Sequence, residues 1–224
     1  MRNVALIFAL ILSVSCSKDD TIETVATAEL TPQEIADLSV LREEEKLARD
    51  VYLYAYDTYG LAIFNNISKS EQTHMDKVLS LLDAYGLEDS AHSDRGVFNK
   101  AELSELYGSL TTKAALSLED ALQVGATIED LDISDINEFL SRTQEPSIIA
   151  VYESLNCGSK NHIRSFNGQI ESLGYTYAPQ FISQDEFETI LSQPSALKNP
   201  LVLAKGFFNA LGGAQNIFLR IFIP

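Results

Sequence analysis

The sequence predicts an all-α protein, and three observations carry that expectation. Apolar residues recur at spacings of three and four along four long stretches. Several of these stretches open on capping signals, and glycine follows three of them. No stretch longer than a few residues alternates polar and apolar residues as a strand would.

The elements can be taken in order. TPQE opens the first helix, with Thr31 as N-cap, Pro32 at the first helical position and Glu34 completing a capping box. Gly60 ends that helix after Tyr59. A second helix is expected from about Ala62 to Tyr85, ended by Gly86, followed by a polar loop over 87–97. A short helix from Asn99 to Leu110 comes next. SLED, Ser117 to Asp120, is a second capping box and opens the third long helix, with a break expected between Asp132 and Ser134. Glu145-Pro146-Ser147 starts the fourth, which runs to Leu173 before Gly174. SQDE at 183–186 begins a last short helix to about Leu191. Four long helices with additional short ones make a four-helix bundle over 31–192 the natural architecture.

The flanks read differently. Residues 1–15 carry Arg2 and an apolar run from Val4 to Val14, and Ser15-Cys16 follows. This resembles a bacterial lipoprotein signal peptide, with cleavage before Cys16 and lipid attached to it. The SKDD after the cysteine resembles the acidic export tag of surface lipoproteins in some Gram-negative bacteria. The expected location is therefore extracytoplasmic, anchored by lipid to the outer membrane on its periplasmic or cell-surface side. Residues 16–30 read as an acidic tether. Residues 193–224 are apolar and aromatic without clear period, and no role is assigned to them.

Charge narrows the partners. Asp and Glu number 32 against 16 Lys and Arg, for a formal net charge of -16. That balance opposes nucleic acid binding and fits a site that collects cations. Two cysteines without a CxxC exclude both a disulfide framework and a cysteine zinc site.

Each long helix has an interrupted apolar stripe. The first reads Leu41, Glu45, Ala48, Tyr52, Ala55, Tyr59, and the second Phe64, Ile67, Glu71, His74, Val78, Leu81, Tyr85. The third reads Leu122, Gly125, Glu129, Asp132, Ile136, Phe139, and the fourth Ile148, Tyr152, Leu155, Ser159, His162, Phe166. Singly, each polar residue has an ordinary explanation. Glu45 lies in a run of three glutamates that could be solvated, Glu71 could cap with Ser68, and His162 could bond to Ser159. Jointly they do not, because clustered carboxylates repel unless a proton or cation intervenes. Arg49 and Arg164 could supply part of the counter-charge; a metal ion supplies it more directly. Glu71 and His74, at i and i+3, share one helical face. Oxygen and imidazole donors without thiolate suit iron or manganese, with zinc as a further alternative.

EEEKLARDVY, SEQTHM, GATIEDLDI and LNCGSKNHIRSF also resemble the DUF2202 family, within the ferritin-like superfamily of di-iron bundles. The resemblance covers about Leu41 to Leu191. It implies Glu45 as the first-helix ligand, Glu71 and His74 as the second-helix ExxH, Glu129 as the bridging third-helix carboxylate and His162 as the last histidine. Asp132 stands where a further carboxylate can occur. Ser159 departs from the pattern, occupying the position of the fourth-helix glutamate. The resemblance further implies a di-iron or mixed di-metal centre with oxygen or peroxide redox activity, as in a peroxidase-like oxidoreductase. In that reading Glu45 and Glu129 bridge or flank the ions, and Tyr52 stands near enough to donate a hydrogen bond or an electron to a bound oxygen species. The partners expected are metal ions, a separate electron donor and, through the lipid, a membrane; a homodimer is compatible with the sequence. The alternative is a surface lipoprotein that binds metal without catalysis, or a helical interaction module.

Overall fold

Thr31 begins the fold as its sequence context requires. Its hydroxyl accepts from the Glu34 amide at 3.2 Å, and Glu34 Oε2 accepts from the Thr31 amide at 2.9 Å. In the computed structural model, which describes residues 29–193, this box opens α1, Pro32–Tyr59. Gly60, in the left-handed region at φ 65°, ends it, a conformation that costs glycine nothing. Only Leu61 then separates that turn from α2, Ala62–Ala84, so α2 folds back along α1.

The remaining elements are α3 (Ala101–Ala114), α4 (Leu118–Arg142), α5 (Pro146–Ser172) and α6 (Gln184–Ser192). There is no strand among the described residues, and none of their helices is long and apolar enough to cross a membrane. Ser117 caps α4 by accepting from the Asp120 amide at 3.0 Å. Two expectations need correction. The break near Asp132 is not there: α4 is continuous through it, because Asp132 faces inward as part of the core stripe. The short helix runs from Ala101 to Ala114, four residues beyond its expected end at Leu110. The expected signal peptide with Cys16, the tether up to residue 28 and the tail from residue 194 lie outside the described residues.

Packing follows the stripes. α1 lies along α2 and α4 along α5, and the two pairs meet through α1 against α4 and α2 against α5. The buried apolar residues form two clusters. One holds Leu38 and Leu41 of α1, Val78 and Leu81 of α2, Ile136 and Phe139 of α4, and Ile148 to Leu155 of α5. The other holds Ala48 to Ala55, Phe64 and Ile67, Ala121 to Ile128, and Ile163 to Ile170. Membership gives direction: α1 and α5 run from the first cluster to the second, α2 and α4 the opposite way. The segment 85–117, with α3 packed on α1 and α4, carries the chain back between the parallel α2 and α4. The polar interruptions of all four stripes therefore meet at one level, between the two apolar clusters.

Candidate metal centre

Four helices deliver polar side chains to that level: Glu45 from α1, Glu71 and His74 from α2, Glu129 and Asp132 from α4, His162 from α5. All six are buried, and Glu45, Glu71 and Glu129 have no exposed surface at all. Glu71 is the middle of the arrangement. Its Oε2 lies 2.8 Å from His74 Nδ1, and its Oε1 lies 2.8 Å from His162 Nδ1. Glu45 Oε2 faces the same His74 nitrogen at 3.1 Å, and Glu129 Oε2 faces the same His162 nitrogen at 3.3 Å. The two imidazoles stack with centroids 5.5 Å apart.

The result is two groups, Glu45-Glu71-His74 and Glu71-Glu129-His162, sharing Glu71. In each, the three donor atoms lie within 4.8 Å of one another. Glu71 is the residue common to both groups, and Glu45 and Glu129 each belong to one of them. Asp132 belongs to neither group. It is nevertheless an electrostatic neighbour of Glu45, Glu129 and Glu71.

Ionisation shows the strain of assembling these charges in the dark. Burial pushes the Glu45 carboxyl up to about 7 against the pull of His74. Burial likewise raises Glu129, aided by repulsion from Glu71, and lifts Asp132 well above its ordinary range. Burial would raise Glu71 too, but the imidazoles of His162 and His74 hold it below the usual carboxylate range. His74 has its charge opposed by burial and favoured by Glu45 and Glu71; the carboxylates win and lift it to about 10. His162 is raised well above its ordinary value, with Glu71 and Glu129 overcoming burial.

The donor set fits a metal on two observations. First, no lysine or arginine salt bridge reaches these carboxylates among the described residues. Arg49 instead binds Asp50 at 2.7 Å and Gln72 at 2.6 Å, and Arg164 donates to the Ile190 carbonyl at 3.1 Å. Second, Glu45 Oε1 and Asp132 Oδ2 are buried with no hydrogen-bond partner, and both Glu71 oxygens and Glu129 Oε2 face only imidazole nitrogens that another carboxylate also faces. Buried polar atoms are nearly always satisfied, so a group of orphans aimed at one space points to a ligand. A single proton on each Nδ1 can serve only one of the two oxygens facing it.

The surroundings hold the donors in place. Tyr52 donates its hydroxyl to Glu129 Oε1 at 2.6 Å, with the Gly125 carbonyl 3.3 Å away. It thus orients a carboxylate of the centre, which sequence reasoning had not assigned to it. His162 Nε2 lies 3.0 Å from Ser70 Oγ, so its partner is Ser70 and not Ser159. Ser159 is fully buried and its hydroxyl has no hydrogen-bond partner. Ser68 lies within α2 and donates to the Asn65 carbonyl at 3.0 Å, which removes the capping alternative for Glu71. The glutamate run is not a solvated face either. Glu43 is buried and accepts from the Asn99 amide at 3.1 Å, which pins the entry to α3, while Glu45 enters the centre.

Gly158 was missed by the sequence reading, because a mid-helix glycine carries no chemistry of its own. A Cβ there would stand 2.5 Å from His74 Nε2 and 2.6 Å from its Cε1, so α5 gives the imidazole its room. Gly168, also in α5, has nothing within 4 Å of such a Cβ. Glycine to alanine in an open helical site gains about 1 kcal/mol, whereas overpacking a core site loses about 1–3 kcal/mol. Gly168→Ala is expected to raise the urea midpoint and Gly158→Ala to lower it, with the His74 ring resonances displaced in the second variant only. Midpoints moving in the same direction would show that His74 is not confined by α5.

Comparison with known proteins matches this architecture to a family. Residues 34–194 match the model described as "Uncharacterized protein domain (DUF2202)". The chain belongs to the DUF2202 family. A relative, "Uncharacterized protein MJ0754" of Methanocaldococcus jannaschii, is 48% identical over 164 residues, covering 73% of this chain and 89% of the relative. The crystal structure of hypothetical protein MJ0754 from Methanococcus jannaschii superposes with a TM-score of 0.75 at 45% identity, over 76% of this chain and 98% of that one. All six residues of the centre, with Tyr52 and Ser159, fall inside the stretch that defines this DUF2202 chain.

Proposed function

We propose that this protein binds a pair of metal ions, one in each group, with Glu71 shared between them, inside a ferritin-like bundle. The observation that carries the reading is the pair of donor groups meeting at one glutamate without a lysine or arginine salt bridge to any of their carboxylates. The single long crossover and the parallel α2 and α4 support the ferritin-like assignment. Carboxylate and imidazole donors suit iron, manganese or zinc, and the ferritin-like resemblance puts iron first.

In this reading Glu45 and Glu129 close the two ends, and His74 and His162 supply one nitrogen each. Tyr52 and Ser70 fix the orientation of Glu129 and His162, as outer hydrogen bonds do in metal sites. An iron pair, when bound, would supply the electrons that reduction of oxygen or peroxide consumes, and a separate donor would have to restore them. The protein's own part is to hold the donors at fixed spacing, between two apolar clusters that limit water. The chain offers no CxxC, so an oxidoreductase role needs a separate electron donor. Ser159 leaves the His162 side without a fourth-helix carboxylate, which favours keeping non-catalytic metal binding as the second reading. Residues 1–16 support the further proposal of a lipid anchor at Cys16, placing the centre outside the cytoplasm.

Elemental analysis of the purified chain tests the centre. The expected ratio is two metal ions per chain, and a ratio near zero after reconstitution with ferrous, manganous and zinc salts removes the proposal. Protons give a second readout. His74, lifted to about 10 in the metal-free protein, keeps its proton throughout the neutral range. Metal must displace it, so binding releases protons and apparent affinity rises with pH toward 10. The sign for folding is opposite: the raised pKa stabilises the metal-free fold fully below about 6.5, and this is lost as pH climbs through about 10. Calorimetry in buffers of different ionisation enthalpy measures the release directly.

A further inference from the structure

Beneath α3 the fold leaves a partly open cavity of about 80 Å³, walled by α1, α3 and α4. Glu44 of α1 and Asp132 of α4 are its only charged lining residues. Leu47, Leu106, Leu110 and Leu131 make up much of the rest, and Phe181, 48% exposed, marks the solvent side. Glu44 Oε2 and Asp132 Oδ2 are both buried without a hydrogen-bond partner, and Asp132 as a whole is only 3% exposed. Among the described residues no lysine or arginine salt bridge reaches either carboxylate. Lys100, a cationic neighbour of Glu44, places its ammonium 3.6 Å from Glu43 Oε2 instead. The other charged neighbours are acidic: Asp135, Glu45 and Asp37 around Glu44, and Glu45, Glu129, Glu44 and Glu71 around Asp132.

We propose that Glu44 and Asp132 form a third, exchangeable site for a divalent cation that keeps part of its water, and that the centre is loaded through it. The loading role rests on the metal reading above; the binding itself does not. Charge sets the class of ligand. Two orphaned carboxylate oxygens among further carboxylates repel any anion, and a neutral guest leaves their repulsion unrelieved. The apolar walls strengthen the attraction. A cleft lined by one sign of charge between low-dielectric walls focuses its field and raises cation on-rates roughly 10–10³-fold. Size sets the hydration. One water needs about 10–15 Å³, so the cavity has room for an ion with several waters. A hard divalent ion held by one or two carboxylates ordinarily keeps such waters.

Placement gives the site its use. Asp132 belongs to neither donor group, yet it stands among the carboxylates of both. Glu44 precedes Glu45, a donor of the first group, in the chain. Leu106 and Leu110 come from α3, which rests on α1 and α4 across this space. The crossover therefore does more than return the chain: it roofs an acidic port on the solvent side of the centre.

Manganous ion followed by electron paramagnetic resonance tests the proposal, because the free hydrated ion alone gives the sharp six-line spectrum. Two carboxylates and water hold an ion weakly, so gel filtration strips this site and the retained ratio stays at the two expected for the centre. In full-length Glu71→Gln, whose two groups are disabled, equilibrium titration is expected to show one weak Mn²⁺ site. Glu44→Gln or Asp132→Asn, each added to that background, should weaken it about tenfold or more, and either variant reports if the other fails to fold. Glu153→Gln, exposed on α5, makes the same change in net charge and should leave the site unaltered. In the otherwise wild-type chain, Glu44→Gln should slow Mn²⁺ loading about tenfold or more with the retained ratio unchanged. No weak site in Glu71→Gln, or one indifferent to both substitutions, overturns the proposal, since protons alone then settle the two carboxyls. Loading at the wild-type rate in Glu44→Gln overturns it as well. A wild-type chain that retains no metal after gel filtration defeats the metal reading instead, and the weak site is still read through its dependence on Glu44.

Discussion

Replacing Glu71 with glutamine is expected to remove metal from both groups at once. Its two oxygens each face a different imidazole at 2.8 Å, so no other single substitution reaches both. Loss of an outer-shell partner alone weakens metal affinity about 10–100-fold, and loss of a shared ligand should exceed that at each position. Glu45→Gln should spare the Glu71-Glu129-His162 group, and Glu129→Gln should spare Glu45-Glu71-His74. Metal-to-chain ratios of near zero, one and one for the three variants are the expected pattern. If Glu71→Gln keeps a full complement, Glu71 is not shared and the pair is not built as described. The metal-free variant should also melt earlier than metal-free wild type. Glu71 is the counter-charge common to both imidazolium groups, and removing it leaves buried charge less compensated.

Asp50→Ala is expected to have the largest effect on folding while touching no member of the centre. Lys46 and Asp50 are both without exposed surface, and Lys46 Nζ donates to Asp50 Oδ2 at 2.5 Å. The ammonium also lies 4.3 Å from the centroid of the Phe98 ring. Asp50 accepts besides from Arg49 at 2.7 Å and from the Gly96 amide at 2.9 Å. The pair thus fastens the loop before α3 to the middle of α1. Removing one partner of a buried pair leaves an uncompensated charge and costs about 3–5 kcal/mol. A chemical denaturation midpoint should fall accordingly. Lys46→Met with Asp50→Leu should recover most of the loss, since apolar replacement of a whole buried pair is often neutral. A single Asp50→Ala variant with unchanged midpoint would show that the pair contributes nothing net. Amide exchange should also quicken around 94–100, the segment that Asp50 and Phe98 tie down.

The helices were legible because their signals are local. Capping boxes at Thr31 and Ser117, prolines at the first turn and glycine stops depend on a few neighbouring residues, and a helix end answers to them directly. The expected break near Asp132 failed for a complementary reason. Aspartate in mid-helix suggests a turn when its surroundings are unknown, yet here the helix presents it inward beside Glu45 and Glu129. The same holds for the glutamate run at 43–45. Charge density implies solvent, and only the packing of the crossover and α4 on α1 shows that Glu43 and Glu45 are buried.

By itself the sequence determined that this DUF2202 chain is helical, where its long helices begin, and that each stripe is interrupted by groups able to bind metal. Period and capping are properties of neighbours in the chain, so one dimension suffices to read them. Tertiary structure decided the rest. It chose Glu71 as the shared residue, gave the Tyr52 hydroxyl to Glu129 and the His162 ring to Ser70, and required glycine at 158 beside His74. It also set the cavity beneath α3 against Asp132. The contacts between helices that build the centre join residues 29 to 92 positions apart, and they arise only when opposed helices bring one level of each stripe together.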